Sequence, residues 1–165
     1  MTDSIKLIGN VASPYTRKMV AYLRYKRIPY EVIWGQPEDV LKKINIEPPK
    51  PILLPVFILD RDGQATAVTD STPLIREFED KYPDRSVLPN NPALNFINFV
   101  LEDFGDEWCT KFMFHYRWHF DEDADNAGTI LPLGINSNLK DDELAFFKEH
   151  FAKRQIDRLW VVGSN

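Results

Sequence analysis

Cysteine is nearly absent: Cys109 is the only one in 165 residues. An internal disulfide framework is therefore excluded, and a reducing compartment fits. Long apolar runs are absent too, since none approaches the roughly 18 residues of a membrane span. Residues 1–6 show neither the basic block nor the apolar block of a secretory signal, so a cytoplasmic protein with no membrane partner is expected. A basic excess is missing as well. Lys and Arg total 20 against 25 for Asp and Glu, a net charge of −5, which leaves no basic footprint for nucleic acid.

What is present is the composition of a globular chain, 44% hydrophobic and 27% charged, long enough for a sizeable core in one or two domains. Residues 5–9 read as a short strand. After the loop 10–12, Ser13 is suited to cap a helix and Pro14 to take its first position, where a missing N–H is harmless. Thr16, Met19, Val20, Leu23 and Arg27 then form one stripe. Ile28-Pro29 breaks that helix, and Tyr30-Glu31-Val32-Ile33-Trp34 has the alternation and bulk of a second strand. A β-α-β unit of this kind joins parallel strands. A weaker helix over 39–44 is ended by the stiff Glu47-Pro48-Pro49-Lys50-Pro51.

The run 54–59 predicts a third strand and 65–69 a fourth. They are joined through Asp62-Gly63, a dipeptide suited to the positive φ of a hairpin, so the pair should be antiparallel. Ser71 is expected to cap the next helix, with Leu74, Ile75, Phe78 and Tyr82 on one face and Pro83 as its stop.

Residues 82–92 hold three prolines and little periodicity, which reads as a connector. Domains are accordingly drawn at 1–82 and 93–165, with a linker over 83–92. The charge balance changes across it: 13 basic and 12 acidic side chains up to residue 90, then 7 and 13. Asn91-Pro92 opens a long helix in which Leu94, Ile97, Leu101, Phe104, Trp108, Phe112 and His115 recur every three or four residues. Beyond Phe120 the acidic run Asp121-Glu122-Asp123-Ala124-Asp125 passes into loop-like sequence through Gly134 and Asn138. A second amphipathic helix follows, with Leu144, Phe147, Phe151 and Ile156 on its face. Cys109, mid-helix beside Trp108, reads as a buried small side chain.

Three motifs in this order carry a resemblance: Ser13-Pro14-Tyr15-Thr16-Arg17-Lys18 at the first helix, Leu54-Pro55-Val56 at the third strand, and Asp70-Ser71 before the third helix. Together they resemble the glutathione S-transferase family over residues 5–90, and 91–120 looks like the first helix of that family's second domain. The resemblance implies an α/β plus all-α fold, a thioredoxin-like N-terminal domain (β-α-β-α-β-β-α) followed by a truncated helical domain. It also implies glutathione as cosubstrate, a small electrophile as second substrate, no metal, and a homodimer. The family's second domain usually continues through further helices, so a short family member or a fragment is expected.

Under that resemblance Ser13 would donate a hydrogen bond to the glutathione sulfur. A free thiol titrates near pH 8.5, and a hydroxyl at a helix N-terminus would favour the nucleophilic thiolate at neutral pH. Capping alone explains Ser13 equally well, and the roles can coexist. Tyr15 is the alternative activator. A cis Leu54–Pro55 bond, implied by the resemblance, would let Leu54 and Pro55 dock the cysteinyl backbone as an added strand would. Asp70 suits the γ-glutamyl ammonium, while Ser71 and the helix N-terminus suit its carboxylate; simple capping again needs no ligand.

Pro51-Ile52-Leu53-Leu54 lacks the polar or basic residue that often precedes the cis-proline in the family, so Lys50 would have to reach the glycyl carboxylate from farther away. This departure supports a rival reading, a non-catalytic scaffold or binding protein on the same fold. A glutaredoxin-type redox enzyme is disfavoured because no cysteine sits at or beside position 13. His115 and His119, four apart, allow a metal site to be drawn near Asp121, Glu122 and Asp123, but the aromatic face around them reads as core or subunit interface.

Overall fold

The computed structural model describes residues 4–164. Met1, Thr2, Asp3 and Asn165 lie outside the described residues, and with them half of the 1–6 segment that lacks the features of a secretory signal. The chain divides into two compact units between Pro89 and Asn90.

In the first unit, β1 (Ile5–Gly9), α1 (Pro14–Lys26), β2 (Tyr30–Trp34), α2 (Pro37–Lys43), β3 (Val56–Arg61), β4 (Gln64–Val68) and α3 (Ser71–Lys81) follow one another. The sheet order is β2-β1-β3-β4. β1 and β2 are parallel, with Leu7 opposite Val32. β3 is antiparallel to both β1 and β4, with Phe57 opposite Leu7 on one side and Val68 on the other. This is the mixed sheet of a thioredoxin-like domain.

The two-residue period of the strands sorts their side chains between two faces. Leu7 and Phe57 pack with Met19, Leu23, Leu74 and Phe78 beneath α1 and α3. Ile8 and Val56 pack with Leu41 of α2 on the opposite face. The β3–β4 turn takes positive φ at both central residues, 55° at Asp62 and 81° at Gly63, and Asp60 Oδ1 accepts from the Gly63 N–H at 2.8 Å.

Three local expectations change. The apolar stripe of α1 ends on buried Tyr22 and Lys26, whereas Arg27 is the left-handed cap beyond it. Asp70, not Ser71, caps α3; its carboxylate accepts from the Thr72 N–H and Ser71 becomes the first helical residue. Adjacent Asp and Ser are both good caps, and the chain places Asp70 at φ 83°. The third and fourth strands each sit slightly off their expected bounds, as 56–61 and 64–68.

Among the described residues the regular elements of the second unit are all helices. Asn91 caps α4 (Pro92–Asp103), whose Ala93 and Leu94 N–H groups donate to Asn91 Oδ1. The helix runs through a π-helical segment, Phe104–Cys109, into α5 (Thr110–Trp118). The run expected to be acidic loop is instead α6 (Asp121–Ile135). Its carboxylates occupy the first turn, where the helix dipole favours them, while Ala124 and Ala127 pack with Trp118. α7 (Asp141–Ile156) lies on α6 closely enough that a Cβ at Gly128 would meet Lys148 Cγ at 3.0 Å, and Lys148 pairs with Asp125. A 3-10 turn, Leu159–Val162, follows. Cys109 is exposed rather than buried, because it lies on an open face of the π-helical segment. Among the described residues no helix is long and apolar enough to cross a membrane.

Candidate functional site

Strand register gathers three loops at one end of the sheet. β1 runs out at Gly9, β3 begins at Val56 opposite Ile8, and β4 ends at Val68 opposite Phe57. Segments 10–13, 53–55 and 69–71 therefore emerge side by side, and they contain Ser13, Leu54, Pro55, Asp70 and Ser71.

The first loop is fixed by close packing. Thr16 is fully buried, and a Cβ on Gly9 would stand 2.5 Å from Thr16 Cγ2. Only glycine lets β1 end so near the first turn of α1. Asn10 folds over it, its Oδ1 accepting from the Ala12 N–H. Ser13 then caps α1, Oγ accepting from the Thr16 N–H at 3.2 Å. A hydroxyl has two acceptor positions and one O–H donor; capping takes up an acceptor and leaves the O–H able to donate. Tyr15 is half-buried on the same turn.

In the second loop the Lys50–Pro51 and Leu54–Pro55 bonds are both cis. Pro55 is buried and Leu54 half-buried. Leu54 stands two residues ahead of Val56, the first residue of the β3 ladder. Thr69 joins this loop to the third one: its Oγ1 donates to the Leu53 carbonyl at 2.7 Å, with the Pro55 carbonyl at 3.4 Å.

The third loop opens α3. Asp70 is exposed, while Ser71 is 6% exposed. Ser71 Oγ accepts from Lys18 Nζ at 3.2 Å, across 53 residues of sequence. Lys18 thus ties the helix that begins at Ser13 to the helix that begins at Ser71. Sequence reasoning gives no role at this end to Gly9, to Thr69 or to Lys18, although Lys18 closes the Ser13–Lys18 motif. The strand–loop–helix turn closed by Ser13-Pro14 hints at Gly9, but nothing local announces the other two, whose partners are distant in sequence.

The histidine pair lies elsewhere, in the second unit. His115 and His119 stack with ring centroids 4.5 Å apart, and His115 Nδ1 lies 2.6 Å from Ser164 Oγ. Among the described residues no group of three or more His, Cys, Asp or Glu side chains is placed to hold a metal ion.

Behind the site, α1 and α3 are locked by a buried carboxylate. Glu79 Oε1 accepts from Tyr22 at 2.8 Å and faces Lys26 Nζ at 2.8 Å; Oε2 accepts from Ser86 and from the Val87 N–H. Burial by itself would raise the Glu79 pKa, but the bonds from Lys26, Ser86 and Tyr22 outweigh it and hold the carboxyl below its ordinary range. Burial, aided by the Glu79 bond, pushes the Tyr22 phenol well above its usual value.

Comparison with known proteins agrees with this architecture. Residues 7–86 match the glutathione S-transferase N-terminal domain. A glutathione S-transferase from Methylobacterium radiotolerans, solved with glutathione sulfonate, is 21% identical with a TM-score of 0.56, over 96% of this chain and 65% of that one. A beta-etherase from a Sphingobium species is 20% identical with a TM-score of 0.56, over 97% and 69%. A maleylacetoacetate isomerase from Anaeromyxobacter dehalogenans with bound glutathione is 13% identical with a TM-score of 0.50, over 96% and 89%. No curated protein sequence matches the chain. The chain thus spans 65% of the length of the Methylobacterium transferase and matches its fold at low identity. Its first unit carries a glutathione S-transferase N-terminal domain, and the chain as a whole has the fold of the glutathione S-transferase family.

Proposed function

We propose that this chain binds glutathione at the sheet end formed by segments 10–13, 53–55 and 69–71 and activates its thiol for conjugation to a small electrophile. The observation that carries the reading is the convergence of those three loops within a domain that matches the glutathione S-transferase N-terminal model. Two structural neighbours contain glutathione or its sulfonate, which supports the choice of ligand.

In this reading the cysteinyl backbone lies against Leu54 and Pro55 as an added strand. The γ-glutamyl ammonium meets Asp70, and its carboxylate meets Ser71 at the N-terminus of α3. Ser13 keeps its cap and gives its O–H to the sulfur; the first turn of α1 adds the positive end of its dipole. The thiolate so favoured attacks an electrophilic carbon, forming the S–C bond as the leaving group departs or the acceptor takes up a proton. Glutathione is the only cosubstrate this chemistry requires, and no residue of the site is assigned to a metal. Homodimer formation belongs to the same proposal and rests on the family resemblance alone, whereas a cytoplasmic location is proposed from the sequence, in which Cys109 is the one cysteine.

The test is a conjugation assay with 1-chloro-2,4-dinitrobenzene on wild type and Ser13→Ala, alongside glutathione binding by calorimetry. Loss of a charge-assisted hydrogen bond to the thiolate predicts a fall in turnover of about 10- to 100-fold with binding largely kept. Binding with no conjugation in the wild type would favour the rival reading, a scaffold that holds glutathione without using it, which the apolar approach Pro51-Ile52-Leu53-Leu54 motivates.

A further inference from the structure

After α3 the chain lies against the last turn of α1. Arg85 Nε donates to the Tyr25 carbonyl, in the turn whose carbonyls a helix leaves without intrahelical partners, and the guanidinium stands 4.6 Å from the centre of the Tyr25 ring. The negative end of the helix dipole favours a cation there. Glu79 holds the next two residues: the Ser86 hydroxyl and the Val87 N–H both donate to its Oε2, while Ser86 Oγ accepts from the Leu88 N–H at 3.0 Å. Val87 packs against the core beneath α1 and α3.

Two features make this segment separable from what it covers. Asp84, Arg85 and Ser86 are exposed, and Arg85 sits at φ 56°, a left-handed conformation that an L-residue keeps only where its surroundings impose it. The two oxygens of Glu79 also divide their work. Oε1 serves Tyr22 and Lys26 of α1, whereas Oε2 serves the segment. The segment can therefore leave while the bonds between α1 and α3 stay in place.

We propose that residues 84–88 form a latched strap, which opens as a unit while the rest of the first unit stays folded, with the Glu79 carboxylate as its catch. Exposed residues, few apolar anchors and one strained backbone position place such a segment at the low end of local stability. Closed, the strap binds about half of the connector expected between the two units to the first of them. Open, it adds residues 84–88 to the free chain ahead of α4. The proposal is independent of the glutathione reading, since none of its residues belongs to the candidate site.

The measurement is native-state hydrogen exchange of the full chain against low concentrations of denaturant, on wild type, Ser86→Ala and Tyr22→Phe. Opening that exposes little surface depends weakly on denaturant, whereas global unfolding depends on it steeply. The Val87 and Leu88 amides are expected to exchange with the shallow dependence, and the most protected amides of β1 and β3 with the steep one. Ser86→Ala removes a hydrogen bond to the carboxylate from the strap side and should speed exchange of Val87 and Leu88 about tenfold. Tyr22→Phe removes a bond from the α1 side of the same carboxylate. That bond is present with the strap open or closed, so the variant should melt earlier while Val87 and Leu88 keep their wild-type rates. Three results each overturn the strap: Val87 and Leu88 as steep in denaturant as β1, unchanged rates in Ser86→Ala, or rates raised as much by Tyr22→Phe as by Ser86→Ala.

Discussion

At the scale of single residues, Gly9 and Glu79 are two positions where the first unit tolerates little change. Gly9 faces fully buried Thr16 across a gap that no Cβ fits. Gly9→Ala is therefore expected to lower stability by about 1–3 kcal/mol, the usual effect of overpacking a fixed neighbour, seen as a lower midpoint in chemical denaturation. Glu79 is the second, since its loss strands the fully buried Lys26 ammonium. Glu79→Ala should destabilise by about 3–5 kcal/mol. The sign of its pH dependence follows from its depressed folded pKa. The stabilisation is complete above the unfolded value near 4.5 and fades as pH falls through the lower folded value. Glu79→Gln should accordingly lose less stability than wild type between about pH 5 and pH 3 in melts followed by circular dichroism. An equal acid loss in both proteins would mean that the carboxylate is not held below its ordinary range. Neither Glu79 nor Lys26 stands out in the sequence, because a buried ion pair between two helices leaves no local pattern; Lys26 looks like any basic residue in the last turn of a helix.

At the scale of elements, most boundaries are legible wherever one local rule acts alone. Ser13-Pro14 reads as a cap and first helical residue, and Asp62-Gly63 reads as a hairpin turn; the structure places both so. Legibility fails where two rules compete. Asp70 and Ser71 can each cap a helix, and the backbone settles on Asp70. The acidic run after Phe120 looks like solvated loop, yet Ala124, Ala127, Gly128 and Leu131 recur at helical spacing and the carboxylates suit an N-terminal turn. The cap at Asp70 offers a test that separates folding from binding. Asparagine caps as well as aspartate and tolerates positive φ. Asp70→Asn should leave the melting midpoint of the protein nearly unchanged while weakening glutathione binding severalfold in calorimetry, because the partner of the ammonium is gone. Asp70→Ala should lose both, with about 1 kcal/mol of stability going with the cap. Unchanged glutathione affinity in Asp70→Asn would remove Asp70 from the site.

At the scale of the molecule, the sequence discloses the order of elements and the family of the fold, because β-α-β, a proline-led strand, a hairpin and a capped helix leave few ways to build a sheet. It does not disclose the cross-links that hold the candidate site together. Lys18 to Ser71 and Thr69 to Leu53 join residues 53 and 16 positions apart, and such partners become neighbours only once the strands are in register. The second unit is legible as helical but not in its packing. Phe112, on the apolar stripe, and Cys109, which reads as a buried small side chain, are both exposed, since an apolar stripe tells that a face is apolar without telling what lies against it.

Binding of glutathione where the three loops converge is best tested by titrating the 15N-labelled protein with glutathione and mapping backbone amide shifts. Saturable shifts are expected, concentrated in residues 10–18, 53–56 and 69–72, with the amides of Leu54 and Ser71 among the largest. Two results would contradict the proposed site: shifts that do not saturate by about 10 mM, an affinity too weak for specific capture, or shifts clustered away from those three segments.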